Sequence, residues 1–454
     1  MSTVMRLKTD QTAKRYEKIV LDYFNEGGVL LVCSDDEAFV KALRFTISQL
    51  KLDIRNFCRE VLEYDDLVTL AGKLAEKAAV PLIVFLERRM HKASCIKTVK
   101  VLKSFYADKV RIIVVSSETS REEIILAHEV GADSFITKPI SANAIIEKAA
   151  FAIRPNSQLG VLMDRCAALL ESGELADAEA LAARIFEIKP DSLKGHLLMG
   201  DLEVRRGDLK AAEAHYLKAY KSEKLFIEPL KKLVDLSHQA GNTDKKLFFL
   251  NKLDVLSPLN FERKVEIGET YLSRDEADKA REYFDQAKKV VGKVAADMVS
   301  ESLMEIARKI GEKDEELALA YMTEAIEAKG VELSRDDLWM FNNRGIVLRK
   351  QGKWREAVEN YTKALTLAPG DAGLHYNIGV AYADGRAYDK AWEAFQKALQ
   401  ADGAIVLQAP SVGYNIAMAL HRIHKPVEAK TYLATALELD PGYAPARKLL
   451  ESLA

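Results

Sequence analysis

Four short stretches carry residues able to do chemistry together. Asp35-Asp36-Glu37 is an acid run, Glu87 a further acid, Ser116-Ser117 a hydroxyl pair, and Lys138-Pro139 brings a lysine. Each closely follows a run rich in β-branched or large apolar residues: Val29-Leu30-Leu31-Val32, Leu82-Ile83-Val84-Phe85, Ile112-Ile113-Val114-Val115 and Ser134-Phe135-Ile136-Thr137. Carboxylates beside a hydroxyl and a lysine suit a divalent cation with a phosphoryl group. Hard cations take carboxylate oxygens, and an ammonium neutralises phosphate charge.

The elements that position these residues are legible from the same runs. They are too short for buried helices and read as strands of a parallel sheet, with a weaker strand near Ile54 to Phe57. Helical segments alternate with them from about Val29 to Arg154, which predicts a doubly wound α/β domain. In such sheets ligands collect beyond the carboxyl ends of the strands, where the acids, hydroxyl and lysine fall. Ahead of the sheet, Thr12 to Asn25 puts Tyr16, Ile19, Val20, Tyr23 and Phe24 on one helical face, and Gly27-Gly28 ends it. That helix is expected to pack on its own domain; a dimerisation or docking role is the sharper alternative. Arg154-Pro155-Asn156-Ser157 reads as a hinge.

This arrangement resembles the receiver domain of two-component response regulators. The resemblance rests on the acid pair, on Glu87-Arg88-Arg89-Met90, on Ser116, and on the run from Gly131 through Phe135 and Lys138-Pro139 to Ile140. It implies a flavodoxin-like sheet, a switch aromatic at Phe135, a phosphate-facing lysine at Lys138, and the phosphoacceptor position at Glu87. A glutamate there reaches one methylene too far to replace aspartate as in-line nucleophile. Its carboxylate holds about one negative charge against nearly two for a phosphate. The metal positions fall on Ser34 and Asp35, or on Asp35 and Asp36, so Mg²⁺ at Asp35 is the one cofactor left open. The resemblance therefore implies a degenerate receiver that takes up no phosphate.

Beyond Ser157 the pattern changes. Small residues, an aromatic and a closing Gly or Pro recur roughly every 34 residues, as in Gly345, Ala357, Tyr361, Ala364, Pro369 and then Gly379, Ala391, Phe395, Ala398. A lone helix pair of this kind cannot bury its apolar face, so the units must stack into a solenoid. The chain here resembles the tetratricopeptide repeat family over about 159–441, in eight units. The unit at 227–260 has Lys246 in place of a small residue, and that at 297–330 has an insertion after Gly311 that shifts Ala318 and Ala325 out of phase and is expected to let the superhelix bend. Tyr443 to Leu453 reads as a capping helix. The expected layout is an N-terminal extension at 1–28, a receiver-like domain at 29–155, an all-α array at 157–441 and a cap at 442–454.

The resemblance places the first helix of each unit on the concave surface. The last three repeats then offer Trp339, Asn342, Ile346 and Arg349, next Tyr376 and Val380, then Tyr414, Met418, His421 and Arg422. Asn343, Asn377 and Asn415 recur at one position and suit an extended backbone. Aromatic, Arg and Asn side chains together favour a protein or peptide segment. Asp201, Glu228, Asp235, Glu262 and Glu269 give the earlier repeats an acidic stretch, read as a solvated face. The lysine and asparagine of the family's carboxylate clamp are replaced by Asn342 and Ile346, which argues against a chaperone C-terminus as partner.

Composition narrows the rest. The 454 residues exceed one core and predict roughly two to four domains. A formal net charge of -2 gives no electrostatic reason to expect nucleic acid or an anionic membrane. Cys33, Cys58, Cys95 and Cys166 lie far apart without a Cys-x-x-Cys pair, which fits reduced thiols in a cytoplasmic protein. Met1 to Asp10 lacks the apolar core of a secretory signal, and runs such as Leu82 to Leu86 are too short to span a bilayer. No phosphate loop, nucleophile turn or metal-ligand spacing appears, and His421 with His424 is too small a set for a metal. The sequence thus predicts a non-catalytic signalling adaptor. A phosphorylation-switched regulator with a repeat output domain and a scaffold subunit of an enzyme complex are the alternatives.

Overall fold

The computed structural model describes residues 11–50, 58–91, 93–107, 109–118, 120–153, 158–223 and 226–453. Two compact units divide the chain, Met1–Met298 and Val299–Ala454. The first unit holds the α/β domain and four helical hairpins; the second holds four more hairpins and a final helix.

The strands are β1 (Leu30–Cys33), β2 (Cys58–Val61), β3 (Leu82–Glu87), β4 (Arg89–Met90), β5 (Ala93–Ser94), β6 (Val110–Ser116) and β7 (Ser134–Thr137). Five of them form a parallel sheet in the order β2-β1-β3-β6-β7, while β4 and β5 pair as a short antiparallel ribbon. Alternate strand residues enter opposite cores, as a period of two requires. Leu30, Val32, Ile83 and Phe85 face one core with Phe39, Leu43 and Ile145, and Leu31, Cys33, Val84 and Leu86 face the other with Leu67, Val99 and Leu102. Both faces are covered, which is why these strands are continuously apolar. The weaker strand lies at Cys58–Val61, whereas Ile54 to Phe57 and the hinge at 154–157 fall outside the described residues.

The helix Gln11–Asn25 packs on the helix Ala142–Ile153 of the same domain. Ile19, Val20, Tyr23 and Phe24 are buried. The Tyr23 hydroxyl donates to the carbonyls of Val29 at 2.7 Å and Pro81 at 2.9 Å, tying the helix to the entry of β1 and β3.

Four of the hairpins repeat one packing device. A helical glycine faces an aromatic of the second helix across the pair: Gly200 with Tyr216, Gly268 with Phe284, Gly345 with Tyr361 and Gly379 with Phe395. A Cβ built on any of these glycines would stand 2.2 to 2.6 Å from a ring carbon, so only glycine admits the crossing. The alanines flanking each aromatic, such as Ala357, Ala364, Ala391 and Ala398, are wholly buried. Lys246, where the array lacks a small residue, instead reaches across to Glu266 of the next hairpin at 2.9 Å.

The insertion after Gly311 is taken up locally. The helices Val299–Ile310 and Glu315–Lys329 pair normally around a 3-10 turn at Gly311–Lys313, with Gly311 at φ 54° and Ala318 and Ala325 buried. Two further 3-10 turns, Gly330–Glu332 and Arg335–Asp337, restart the register; Ser334 and Asp337 close the second with a reciprocal capping box. The last helix, Ala444–Ser452, packs on Pro426–Leu439 through Ala446.

Candidate functional site

The winding of the sheet reverses between β1 and β3, since the chain passes from β1 to β2 on one side and then crosses from β2 to β3 on the other side of β1. Such a switch point opens a crevice at the carboxyl ends of the two strands. Cys33 is level with Leu86 across that pair. The next residue along β1, Ser34, therefore stands beside Glu87.

Ser34 and Glu87 make contact: the Ser34 hydroxyl donates to Glu87 Oε2 at 2.7 Å. The Lys138 ammonium donates to both Glu87 oxygens at 2.8 and 2.9 Å and to Asp36 Oδ2 at 2.7 Å. Lys138 also lies 5.7 Å from the ring centroid of Phe39. Asp36 caps the helix Glu37–Ser48, accepting from the amides of Ala38 at 2.9 Å and Phe39 at 3.1 Å. The Tyr64 hydroxyl donates to the Glu87 carbonyl at 2.9 Å and fixes the strand end. The Glu87 side chain is only 8% exposed, so its carboxylate is enclosed as well as paired.

The electrostatics follow from this geometry. The hydrogen bond from Lys138 holds the Asp36 carboxyl below its ordinary range against a smaller effect of burial, with the Phe39 and Ala38 amides helping. Burial pushes the Lys138 ammonium down, but its bonds to Asp36 and Glu87 together outweigh that and leave its pKa raised.

The residues singled out from the sequence divide accordingly. Glu87, Asp36 and Lys138 come together, with Ser34 as the fourth member. Asp35 is exposed and takes no part in these bonds. Ser116 is buried and accepts from the Glu118 amide at 3.0 Å; it meets Lys138 through the backbone, where the Lys138 amide donates to the Ser116 carbonyl at 2.8 Å. Phe135 is 7% exposed and sits inward, in the core with Val114 and Ala127. Sequence reasoning gave no role to Tyr64, or to Arg88, which is 2% exposed and pairs with Glu123 at 3.0 Å. An arginine immediately after a buried apolar strand was the available signal.

These donors do not fit Mg²⁺. A hard cation needs several anionic oxygens, yet Lys138 already bridges both carboxylates at the place a cation would take, and Ser34 offers a neutral hydroxyl. Among the described residues no group of three or more His, Cys, Asp or Glu is arranged to hold a metal ion.

In the second unit, Trp339, Asn343 and Ile346 line a cavity of about 470 Å³ together with Met304, Met322 and Val347. Glu301, Glu305 and Glu315 line it as well, beside Arg308 and Lys350. Trp339 and Ile346 are 46% and 40% exposed. The other groove candidates are engaged within the array. Asn377 donates to Asn342 at 2.9 Å, Asn415 to the Tyr376 hydroxyl at 2.7 Å, and Arg349 to Asp384 at 2.6 Å. Arg422 lies 5.9 Å from the Tyr388 ring, Tyr414 packs 6.0 Å from Tyr443, and Met418 lines the core. His421 is half-buried. Val380 is buried with Val412 and Ile416, so it packs repeats together and offers no groove surface.

Part of the acidic stretch in the first unit is paired. Asp201 accepts from the Tyr216 hydroxyl at 2.6 Å and bridges to Lys232 at 2.8 Å, and Glu262 pairs with Lys100.

Comparison with known proteins agrees with both halves. Residues 30–150 match the response regulator receiver domain, and residues 167–224 and 342–404 match the tetratricopeptide repeat. The chain thus carries a receiver domain followed by a tetratricopeptide repeat solenoid. Both are in general non-catalytic modules of regulation and protein binding, and repeats of this kind take protein or peptide partners. Curated proteins give no match. Solved structures similar to the chain include YrrB, described as a tetratricopeptide protein with an unusual peptide-binding site, at 16% identity over 52% of this chain and 97% of that one, with a TM-score of 0.27. The P58(IPK) repeat domain is 16% identical over 65% of this chain and 97% of its own, with a TM-score of 0.25. A repeat protein from Parabacteroides merdae is 15% identical over 65% and 98%, with a TM-score of 0.27. No helix among the described residues is long and apolar enough to cross a membrane.

Proposed function

We propose that this protein is a signalling adaptor whose receiver has lost phosphoryl chemistry and whose repeats bind a protein segment. One observation carries the reading: Lys138 and Ser34 together occupy both oxygens of Glu87 in an enclosed site. With three hydrogen bonds on its two oxygens this carboxylate is a held and weakened nucleophile toward an incoming phosphorus, and one ammonium shared between two carboxylates supplies little further charge neutralisation. The site works instead as a fixed charge cluster, in which one ammonium faces two carboxylates. The head is held in one state, and the array supplies the binding surface. On that surface the cavity lined by Trp339, Asn343 and Ile346 is the place for an apolar anchor residue of the partner.

Incubating the full chain with acetyl phosphate and Mg²⁺, then measuring intact mass, tests this. No added phosphoryl group is expected. A stoichiometric adduct lost on Glu87→Ala or Asp36→Ala would make the protein a phosphorylation-switched regulator instead.

A further inference from the structure

The first compact unit ends at Met298, and the residues just before that end are held by the receiver. Arg88 Nη2 donates to the Val294 carbonyl at 3.3 Å, and Arg89 Nη2 to the Lys293 carbonyl at 3.0 Å. The Ser94 amide donates to Asp297 Oδ1 at 3.2 Å. Lys293 and Val294 close the helix Ala277–Val294. The last carbonyls of a helix lack intrahelical donors and carry the negative end of its dipole, so two guanidinium groups meet an unfilled requirement.

The receiver side is prepared for this contact. Arg88 is aimed by its ion pair with Glu123 and by a 2.6 Å hydrogen bond to the Ser94 hydroxyl. The ribbon β4-β5 carries Arg89 and Ser94 on its two strands, level with each other. The start of the same helical hairpin is fastened separately: Glu129 accepts from Ser257 at 2.6 Å and pairs with Arg263. The partner hairpin is the fourth, although the first follows the receiver directly in sequence. Its last residues are also those that lead out of the first unit.

We propose that the receiver acts as a clasp on this exit segment. Arg88, Arg89 and Ser94 hold residues 293–297, and opening the clasp frees the backbone that leads into the second unit. Arg88 is joined to Glu87 by one peptide bond, so the charge cluster and the clasp share a strand end. A partner that draws on the ribbon β4-β5 would thereby loosen a segment more than two hundred residues along the chain, the hydrogen-bonded pairs being separated by 203 to 206 positions.

Hydrogen–deuterium exchange on the full chain decides this. Arg89 and Asp297 are both exposed and lie outside the sheet, so the double variant Arg89→Ala with Asp297→Ala should fold. Amides across 290–300 are expected to exchange about tenfold faster, the loss that follows removal of a charge-assisted bond and its neighbour. Amides of β3 and β6 should keep their wild-type protection. Arg88→Met, which removes the buried member, should extend the effect. Unchanged protection over 290–300 in the double variant overturns the proposal. So does a loss spread through the whole receiver, because the contact would then be an inseparable part of that fold.

Discussion

Gly345→Ala has a sign that depends wholly on the crossing described above. In an open helix interior, exchanging glycine for alanine gains about 0.8–1.0 kcal/mol. Gly292 is such a site, with nothing within 4 Å of a built Cβ. At Gly345 the added methyl would stand 2.3 Å from Tyr361 Cζ, whereas ordinary contact begins at 3.4 Å, so the ring has to yield by more than 1 Å. Tyr361 is wholly buried among Ala357, Ala364 and Phe341, and has little room to yield. Overpacking of this kind costs about 1–3 kcal/mol, which leaves a net loss of up to about 2 kcal/mol after the propensity gain. For a unit of this size that lowers the midpoint by up to about 8 °C. The three tryptophans, Trp339, Trp354 and Trp392, all belong to the second unit, so thermal unfolding followed by tryptophan fluorescence isolates the effect. Gly292→Ala, followed by circular dichroism, should raise the stability of the first unit. A fluorescence midpoint for Gly345→Ala at or above wild type would refute the close-approach argument.

Two further outcomes are expected. His196 and His215 place their Nδ1 atoms 3.2 Å apart, and both pKa values lie below the ordinary 6.5. Burial is the first cause at each, followed for His196 by the His215 and Lys218 charges and for His215 by Lys218. Depressed folded values mean that the stabilisation is present above pH 6.5 and is lost as pH falls through the folded values. The midpoint of the first unit should therefore drop between about pH 7 and pH 5, and His215→Gln should flatten that slope; equal slopes would contradict the coupling. In the repeat groove, Ile346→Glu introduces a carboxylate beside Trp339. Partners co-purified with the full chain, identified by mass spectrometry, should bind at least about tenfold more weakly; retention at wild-type affinity moves the binding surface elsewhere.

Much of this architecture could be read directly. The apolar runs at Leu82, Ile112 and Ser134 match β3, β6 and β7 to within two residues, because strands buried on both faces must be continuously apolar. The glycine–aromatic partners sit at a constant offset of 16 positions, as from Gly345 to Tyr361, which is visible in a linear sequence. Other features depend on register and distance. Which of Ser34, Asp35 and Asp36 meets Glu87 is fixed by Cys33 lying level with Leu86, and no local pattern encodes that pairing. The strands β4 and β5 have two residues each, too few for any periodicity to show. The asparagines of the groove carry the right chemistry for a peptide backbone, yet Asn377 and Asn415 also find partners on a neighbouring helix. Arg88 gave no hint of Val294, since the two are 206 positions apart.

That separation has a temporal meaning. A ribosome adds about 5–20 residues per second, so some 10–40 seconds elapse between the synthesis of Arg88 and that of Val294. Throughout that interval the nascent receiver can complete its sheet, but its guanidinium groups still wait for the carbonyls they will meet. Until translation reaches the end of the fourth hairpin, Arg88 and Arg89 have the receiver's own Glu123 and Glu118 as their ion-pair partners, and the donors meant for the helix end go unused.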